Sequence, residues 1–153
     1  MSDGGGGQQP PRCRRLEGKV AVVTASTAGI GLGIVRRLAA EGARVVVSSR
    51  KAAAVEETVR QLRSEGLEVR GVPCHVGDAQ QIAALVRFAA EAYGGGIDIL
   101  VSNAAVNPAS GPILSLADAA IDKILDINGR AALGGSASSC VDLHRMQSTP
   151  ALH

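Results

Sequence analysis

The residues best placed to do chemistry lie where a strand hands over to a helix. An apolar run, Val20-Ala21-Val22-Val23, gives way to Thr24-Ala25-Ser26-Thr27-Ala28 and then to Gly29-Ile30-Gly31. Small residues at such a turn leave backbone N–H groups and a helix N-terminus facing outward, where an anion can settle. A doubly wound α/β domain holds the pyrophosphate of a dinucleotide in this way. The spacing is not the common G-x-G-x-x-G, so the turn alone is a weak signal. Three further features fall where such a ligand needs them.

The second strand ends in Ser48-Ser49-Arg50-Lys51, with Ser49 twenty residues beyond Gly29. A carboxylate near this point would accept a hydrogen bond from the ribose 2′-hydroxyl of NAD. None is present, and the Arg50 guanidinium can pair with a 2′-phosphate instead. NADP(H) is therefore expected over NAD(H). The plainer alternative makes Arg50 and Lys51 a solvated helix start, which leaves the missing acid without a reason. The fourth strand ends in Ser102-Asn103-Ala104-Ala105. Its small residues let the backbone approach a flat ligand, and the Asn amide can fix a neighbouring loop, although alone it reads as an ordinary turn. Asn128 lies i+7, i+4 and i+3 from Ile121, Ile124 and Leu125, on an apolar helix face. Without context it is a helix-ending Asn before Gly129.

These residues need a scaffold, and the hydrophobic pattern supplies one from Gly18 onward. Lys19–Thr24 reads as a buried strand and 31–41 as a helix, with Ile34, Val35 and Leu38 inward and Arg36 and Arg37 outward; Gly42 caps it. A strand over 43–49 follows, then a helix over 52–64 with Val55, Val59 and Leu62 in register and a Glu56–Arg60 pair, ended by Gly66. A weaker strand over 67–76 leads to a helix capped by Asp78 with Gln81 as reciprocal partner. That helix carries Ile82, Leu85, Val86, Ala89 and Ala90 inward until Gly94-Gly95-Gly96 breaks it. A strand over 97–101 follows, and Ser115-Leu116-Ala117-Asp118 opens one more helix. Strands alternating with helices predict an α/β fold: a Rossmann-type doubly wound parallel sheet of about four strands, order 3-2-1-4, with right-handed crossovers. The sheet is expected to be incomplete.

The flanks look different. Residues 1–15 are rich in Gly, Gln and Pro and are expected to be disordered. Residues 129–153 show neither strand-like runs nor a sustained helical period and are expected to form an irregular tail. The 153 residues contain 46% apolar but only 1% aromatic side chains, and the net charge of +2 is interspersed. Few stacking platforms and no basic stripe argue against nucleic-acid binding. No apolar stretch reaches the roughly 18 residues that a membrane span needs. Cys13, Cys74 and Cys140 lack metal-ligand spacing and fit free thiols in a reducing compartment. Cytoplasm is the expected location for this chain, which carries no targeting signal, with the peroxisome as the alternative for a longer form.

Taken together, Thr24-Ala25-x-x-x-Gly29-Ile30-Gly31, Ser102-Asn103-Ala104-Ala105 and Leu125-Asp126-Ile127-Asn128 resemble the short-chain dehydrogenase/reductase family. Val47 to Lys51, Cys74-His75-Val76-Gly77 and Val101 to Pro108 look closest to its branch of NADPH-dependent carbonyl (retinal-type) reductases. The resemblance spans 16 to about 128. It implies that Gly29, Ile30 and Gly31, with the Ser26-Thr27 turn, hold a pyrophosphate. Ser49 and Arg50 would then meet the adenosine 2′-phosphate, and His75 and Val76 would border the adenine. Asn103, Ala104 and Ala105 would run beside the ribose and nicotinamide. Asn128 would match the family's active-site Asn, which orders a water in the proton relay. The substrate would be a small carbonyl compound.

Three departures from the family pattern stand out. Ala25 replaces the first Gly of the turn, and His75 stands where many members have Asp. The third concerns mechanism: the family's Ser and its Tyr-x-x-x-Lys pair have no counterpart here. Tyr93 is the only tyrosine, four residues on is Ile97, and packing in the turn before the fourth strand explains it. Carbonyl reduction needs an acid for the developing alkoxide, a contribution of roughly 10²–10⁴-fold. The chain is therefore expected to be a truncated member of an NADP(H)-dependent reductase family, inactive by itself. The competing expectations are a non-catalytic nucleotide-binding fragment that pairs with itself or a full-length paralogue, and an unstable product of splicing or frameshift.

Overall fold

Strands form where β-branched residues run without interruption, because both faces of a parallel sheet are covered by helices. The computed structural model describes residues 14–105 and 118–130. Its strands are β1 (Val20–Val23), β2 (Arg44–Ser49), β3 (Val69–Pro73) and β4 (Ile99–Val101). All pairings are parallel and the order is β3-β2-β1-β4, as the alternation of elements predicts. Val22 aligns with Val46 on one side and Leu100 on the other. The helices are α1 (Gly29–Ala40), α2 (Ala52–Ser64), α3 (Ala79–Tyr93) and α4 (Asp118–Ile124). A wide turn of π-helix, Leu125–Arg130, continues α4.

Successive strand residues point to opposite faces, so each strand feeds two cores. Ala21, Val23, Val45 and Val47 pack with Val35 of α1 and Leu62 of α2. Val22 and Val46 pack on the other face with Leu85, Val86 and Ala89 of α3 and with Cys74. A side chain at Gly71 would run into Val55 Cγ1 at 2.5 Å and Val59 Cγ2 at 2.7 Å, so its absence sets how closely α2 lies on β3. Cys74 is buried, and desolvation pushes its thiol above the usual range, as expected of an inert core cysteine.

Several details differ from the sequence pattern, each for a physical reason. Helix α1 begins two residues before the expected start, because Gly29 adopts φ +55° and the chain turns there. Arg60 pairs with Glu57 rather than Glu56. Gln81 bonds the Asp78 carboxylate and accepts from His75 N–H at 2.8 Å, while Asp78 N–H donates to His75 O. The capping contact thus ties the end of β3 to α3. Tyr93 is the last residue of α3, not part of the following turn. Within the stretch expected to be disordered, Arg15 donates to Glu41 from Nε (3.2 Å) and Nη2 (2.9 Å). Arg36 and Arg37 also find acids, Glu65 at 3.0 Å and Glu41 at 2.6 Å. Residues 1–13, the helix start at 115–117 and the expected tail beyond residue 130 lie outside the described residues.

Candidate functional site

The strand order reverses between β1 and β4, and there the carboxyl ends of the strands open a cleft, the place where doubly wound sheets bind ligands. Its walls come from every layer. Ala25, Thr27 and Ala28 follow β1; Ser49 and Arg50 end β2; Cys74, His75 and Val76 follow β3; Ala104 and Ala105 follow β4; Lys123 and Ile127 reach in from α4 and the π turn. Among the described residues no carboxylate lines it.

The turn after β1 is held by a polar clasp. Thr24 is buried at the end of an otherwise apolar strand, and its hydroxyl accepts from Asn103 N–H at 3.1 Å and Ala104 N–H at 3.2 Å. The Asn103 amide returns the connection, donating to Thr24 O at 3.3 Å and Ala25 O at 3.0 Å. Ala25 sits at φ +50°, in the left-handed region that favours glycine. Its carbonyl is turned towards the Asn103 amide, which fixes that geometry. Gly31 is the tightest point. A Cβ there would lie 2.5 Å from both Ala25 O and Asn103 Nδ2, so the first turn of α1 packs directly on the clasp.

Ser26 faces away from the cleft. It is fully buried, donates to Val23 O at 2.7 Å and accepts from Ser48 N–H at 3.0 Å, locking the turn onto β2. Only its backbone can face a ligand. Helix α1 is preceded by Ala28, which offers no side-chain cap, and has no acid in its first turn. Its first N–H groups therefore keep their capacity for an anion, and the helix dipole adds to it. Helix α3, by contrast, is closed by Asp78, whose carboxylate accepts from Gln80 N–H at 2.9 Å and Gln81 N–H at 3.2 Å. Those Gln81 bonds hold the Asp78 carboxyl below the usual carboxylate range.

On the far wall, His75 Nδ1 accepts from Gly77 N–H at 3.0 Å, which leaves the neutral ring's proton on Nε2. Ile127 Cδ1 would be 3.3 Å from a Cβ at Gly77, so the π turn lies against this loop. Asn128 does not line the cleft. The i+7 relation that put it on the Ile121 face assumed an α-helix; the wider π turn rotates it outward, where it is exposed, as is Leu125. The cleft thus gathers Thr27, Ser49, Arg50, His75, Val76, Ala104 and Ala105 from the sequence expectations, while Gly29, Ile30 and Gly31 form the first turn of α1 and are not among its lining residues. Ser26 and Asn103 support it from behind.

Three residues have structural roles that the sequence pattern does not assign. Thr24 enters the pattern only as a motif residue that closes an apolar run. Asp98 accepts from Lys19 Nζ and Val20 N–H, both at 2.8 Å, and clamps the starts of β1 and β4; those donors hold its carboxyl below the usual range. Lys123 carries no local signal, because α4 and the strands are brought together only by the fold. Among the described residues no cluster of three or more metal-type ligands occurs. None of their helices is long and apolar enough to cross a membrane.

A parallel sheet with this order, an uncapped helix start behind β1 and an acid-free cleft define a dinucleotide-type doubly wound domain. The family model for short chain dehydrogenase matches residues 19–147, past Asn128 into the stretch that the sequence pattern leaves outside. The chain belongs to the short-chain dehydrogenase/reductase family of oxidoreductases, which bind nicotinamide cofactors. It is 56% identical over 120 residues to a dehydrogenase/reductase SDR family member 4 of Sus scrofa, covering 78% of this chain and 43% of that protein. It is 53% identical over 120 residues to a short-chain dehydrogenase/reductase of Arabidopsis thaliana, covering 78% and 47%. The chain thus spans about half the length of the curated relatives it matches. A solved actinorhodin polyketide ketoreductase variant with NADPH superposes at TM-score 0.72 and 37% identity, covering 79% of this chain and 46% of that one.

Proposed function

We propose that these residues form an NADP(H) site of a carbonyl reductase, and that the 153 residues by themselves hold the cofactor without reducing a substrate. The observation that carries the cofactor reading is the acid-free cleft with Arg50 at the end of β2, where an NAD site would place a carboxylate. The ligand cradle fits as well: no side chain can be added at Gly31, and the α1 N-terminus is left uncapped. In this reading the backbone of Ser26 through Gly31 holds the pyrophosphate and Ser49 and Arg50 hold the 2′-phosphate. His75 and Val76 border the adenine, while Asn103, Ala104 and Ala105 border the ribose and nicotinamide end. Asn128, exposed and outside the cleft lining, takes no part in this reading. Bound nicotinamide would supply the hydride for a small carbonyl compound.

The proton is what this chain does not supply. Tyr93 is its sole tyrosine and its ring packs near Arg44, at the start of β2. The cleft begins after Ser49, five residues along the strand and about 16 Å away at the usual rise per residue. Burial also pushes the Tyr93 hydroxyl up to about 12, the wrong direction for a general acid near neutral pH. That observation favours a second reading in which the chain is a non-catalytic nucleotide-binding module. Such a module would associate with another copy or a longer relative, in the cytoplasm. Titration of the purified chain, followed by cofactor fluorescence, should show saturable NADPH binding and at least tenfold weaker NADH binding. A panel of ketones with NADPH should give no turnover. Equal binding of the two cofactors removes the 2′-phosphate assignment, and turnover above a heat-inactivated control removes the claim that the acid is missing.

A further inference from the structure

We infer that Lys123, on α4, is a second cation for the 2′-phosphate end of the dinucleotide, opposite Arg50; this rests on the NADP(H) reading above. Lys123 and Arg50 line the same cleft although 73 positions separate them in the sequence. Neither makes a hydrogen bond or an ion pair among the described residues, whereas Arg15, Arg36, Arg37, Arg44, Arg60 and Arg63 all do. Among the described residues no Asp or Glu lines the cleft to neutralise them. Two uncommitted cations facing one acid-free space suit a ligand group that carries more than one negative charge, which a phosphate monoester does near neutral pH.

The position along the cleft decides which phosphate is involved. Ile127 leans on Gly77, in the loop after β3, beside His75. Lys123 precedes Ile127 by four residues and lines the same cleft. Its side of the site is therefore the β2–β3 side, where Arg50 also lies. The pyrophosphate belongs at the α1 start behind β1. The long, flexible ammonium stem of Lys123 closes over the 2′-phosphate from above, while the planar guanidinium of Arg50 meets it from the strand end. Lys123 is a specificity-determining residue in this arrangement and takes no part in the chemistry.

The test compares Lys123→Met and Lys123→Arg with the unaltered chain, titrating NADPH and NADH at low and high salt. Lys123→Met should weaken NADPH about two- to fivefold at low salt, the range expected for one exposed charge contact, and less at high salt. NADH affinity should stay within experimental error, and Lys123→Arg should restore most of the NADPH affinity. Because Lys123 is exposed, thermal melting of the free variants should match that of the parent. Equal weakening of both dinucleotides would place Lys123 at the pyrophosphate and overturn the inference. Unchanged NADPH affinity would overturn it outright. An unaltered chain that does not prefer NADPH over NADH would instead defeat the cofactor reading itself.

Discussion

Gly31 has no room for a side chain, and its neighbours are not soft. Two of the atoms that a Cβ would meet are backbone, Ala25 O and Ser26 Cα, and the third is the Asn103 amide that holds the turn. A methyl group there must either open the clasp or push α1 away from β1. Gly31→Ala should therefore cost about 1–3 kcal/mol, the usual range for overpacking a tight site. Urea denaturation should show the lower midpoint, and NADPH affinity should fall more than tenfold because the helix start moves. Retention of both parental values would mean that the turn can relax, and that the clasp does not set its shape. Ala25 shows the converse economy. The family's usual glycine is absent, yet the left-handed backbone persists because Asn103 fixes it by one hydrogen bond.

At the scale of elements, a buried acid joins the chain start to the first crossover. Glu41 follows α1, is almost wholly buried, and takes hydrogen bonds from both Arg15 and Arg37. The Arg15 bond is the main reason that its carboxyl is held below the ordinary 4.5. A depressed carboxylate pKa contributes stability in full above the unfolded value and loses it as pH falls through the folded one. Asp78 and Asp98 are depressed from 3.8 in the same sense. The chain should therefore hold its stability down to about pH 4.5 and lose it progressively below. Glu41→Gln should be less stable than the parent at pH 7 and show a shallower loss on acidification; parallel pH profiles for the two would remove Glu41 from the account.

The same elements show what was legible in the sequence. The β-branched runs gave the strands and their order, because continuous apolar strands separated by amphipathic helices permit few other topologies. Cleft-lining residues at strand ends, such as Arg50 and His75, were legible for the same reason: strand ends are positions that a pattern can locate. Three kinds of feature were not legible. The Arg15–Glu41 and Lys19–Asp98 pairs join positions 26 and 79 residues apart, and no local periodicity links them. Ser26 has the composition of a ligand contact, but its hydroxyl is spent on Val23 and Ser48. The π turn after Ile124 changes the residue count per turn, so a face drawn on 3.6-residue geometry misplaced Asn128.

Across the whole molecule, the sheet has two ends with opposite characters. At the carboxyl end, cations are uncommitted and a helix N-terminus is open. At the amino end, charges are spent on protein groups: Arg44 donates to Tyr93 O and Gly18 O, Lys19 pairs with Asp98, and the guanidiniums of Arg44 and Arg70 lie 5.3 and 5.2 Å from the Tyr93 ring centre. Tyr93 belongs to this second end. Its hydroxyl is buried and has no hydrogen-bond partner among the described residues, while its ring supplies the cation–π contacts. Removing a buried hydroxyl that satisfies nothing is neutral or stabilising, and the ring of Phe keeps the contacts with the two arginines. Tyr93→Phe should therefore melt at or slightly above the parental temperature and bind NADPH with unchanged affinity. If Tyr93 were the acid of a carbonyl reductase, the same change would abolish whatever turnover the parent has and leave its melting temperature uninformative. A fall in NADPH affinity on this substitution would mean that the two ends of the sheet are coupled, which the separation of Tyr93 from the cleft by the length of β2 argues against.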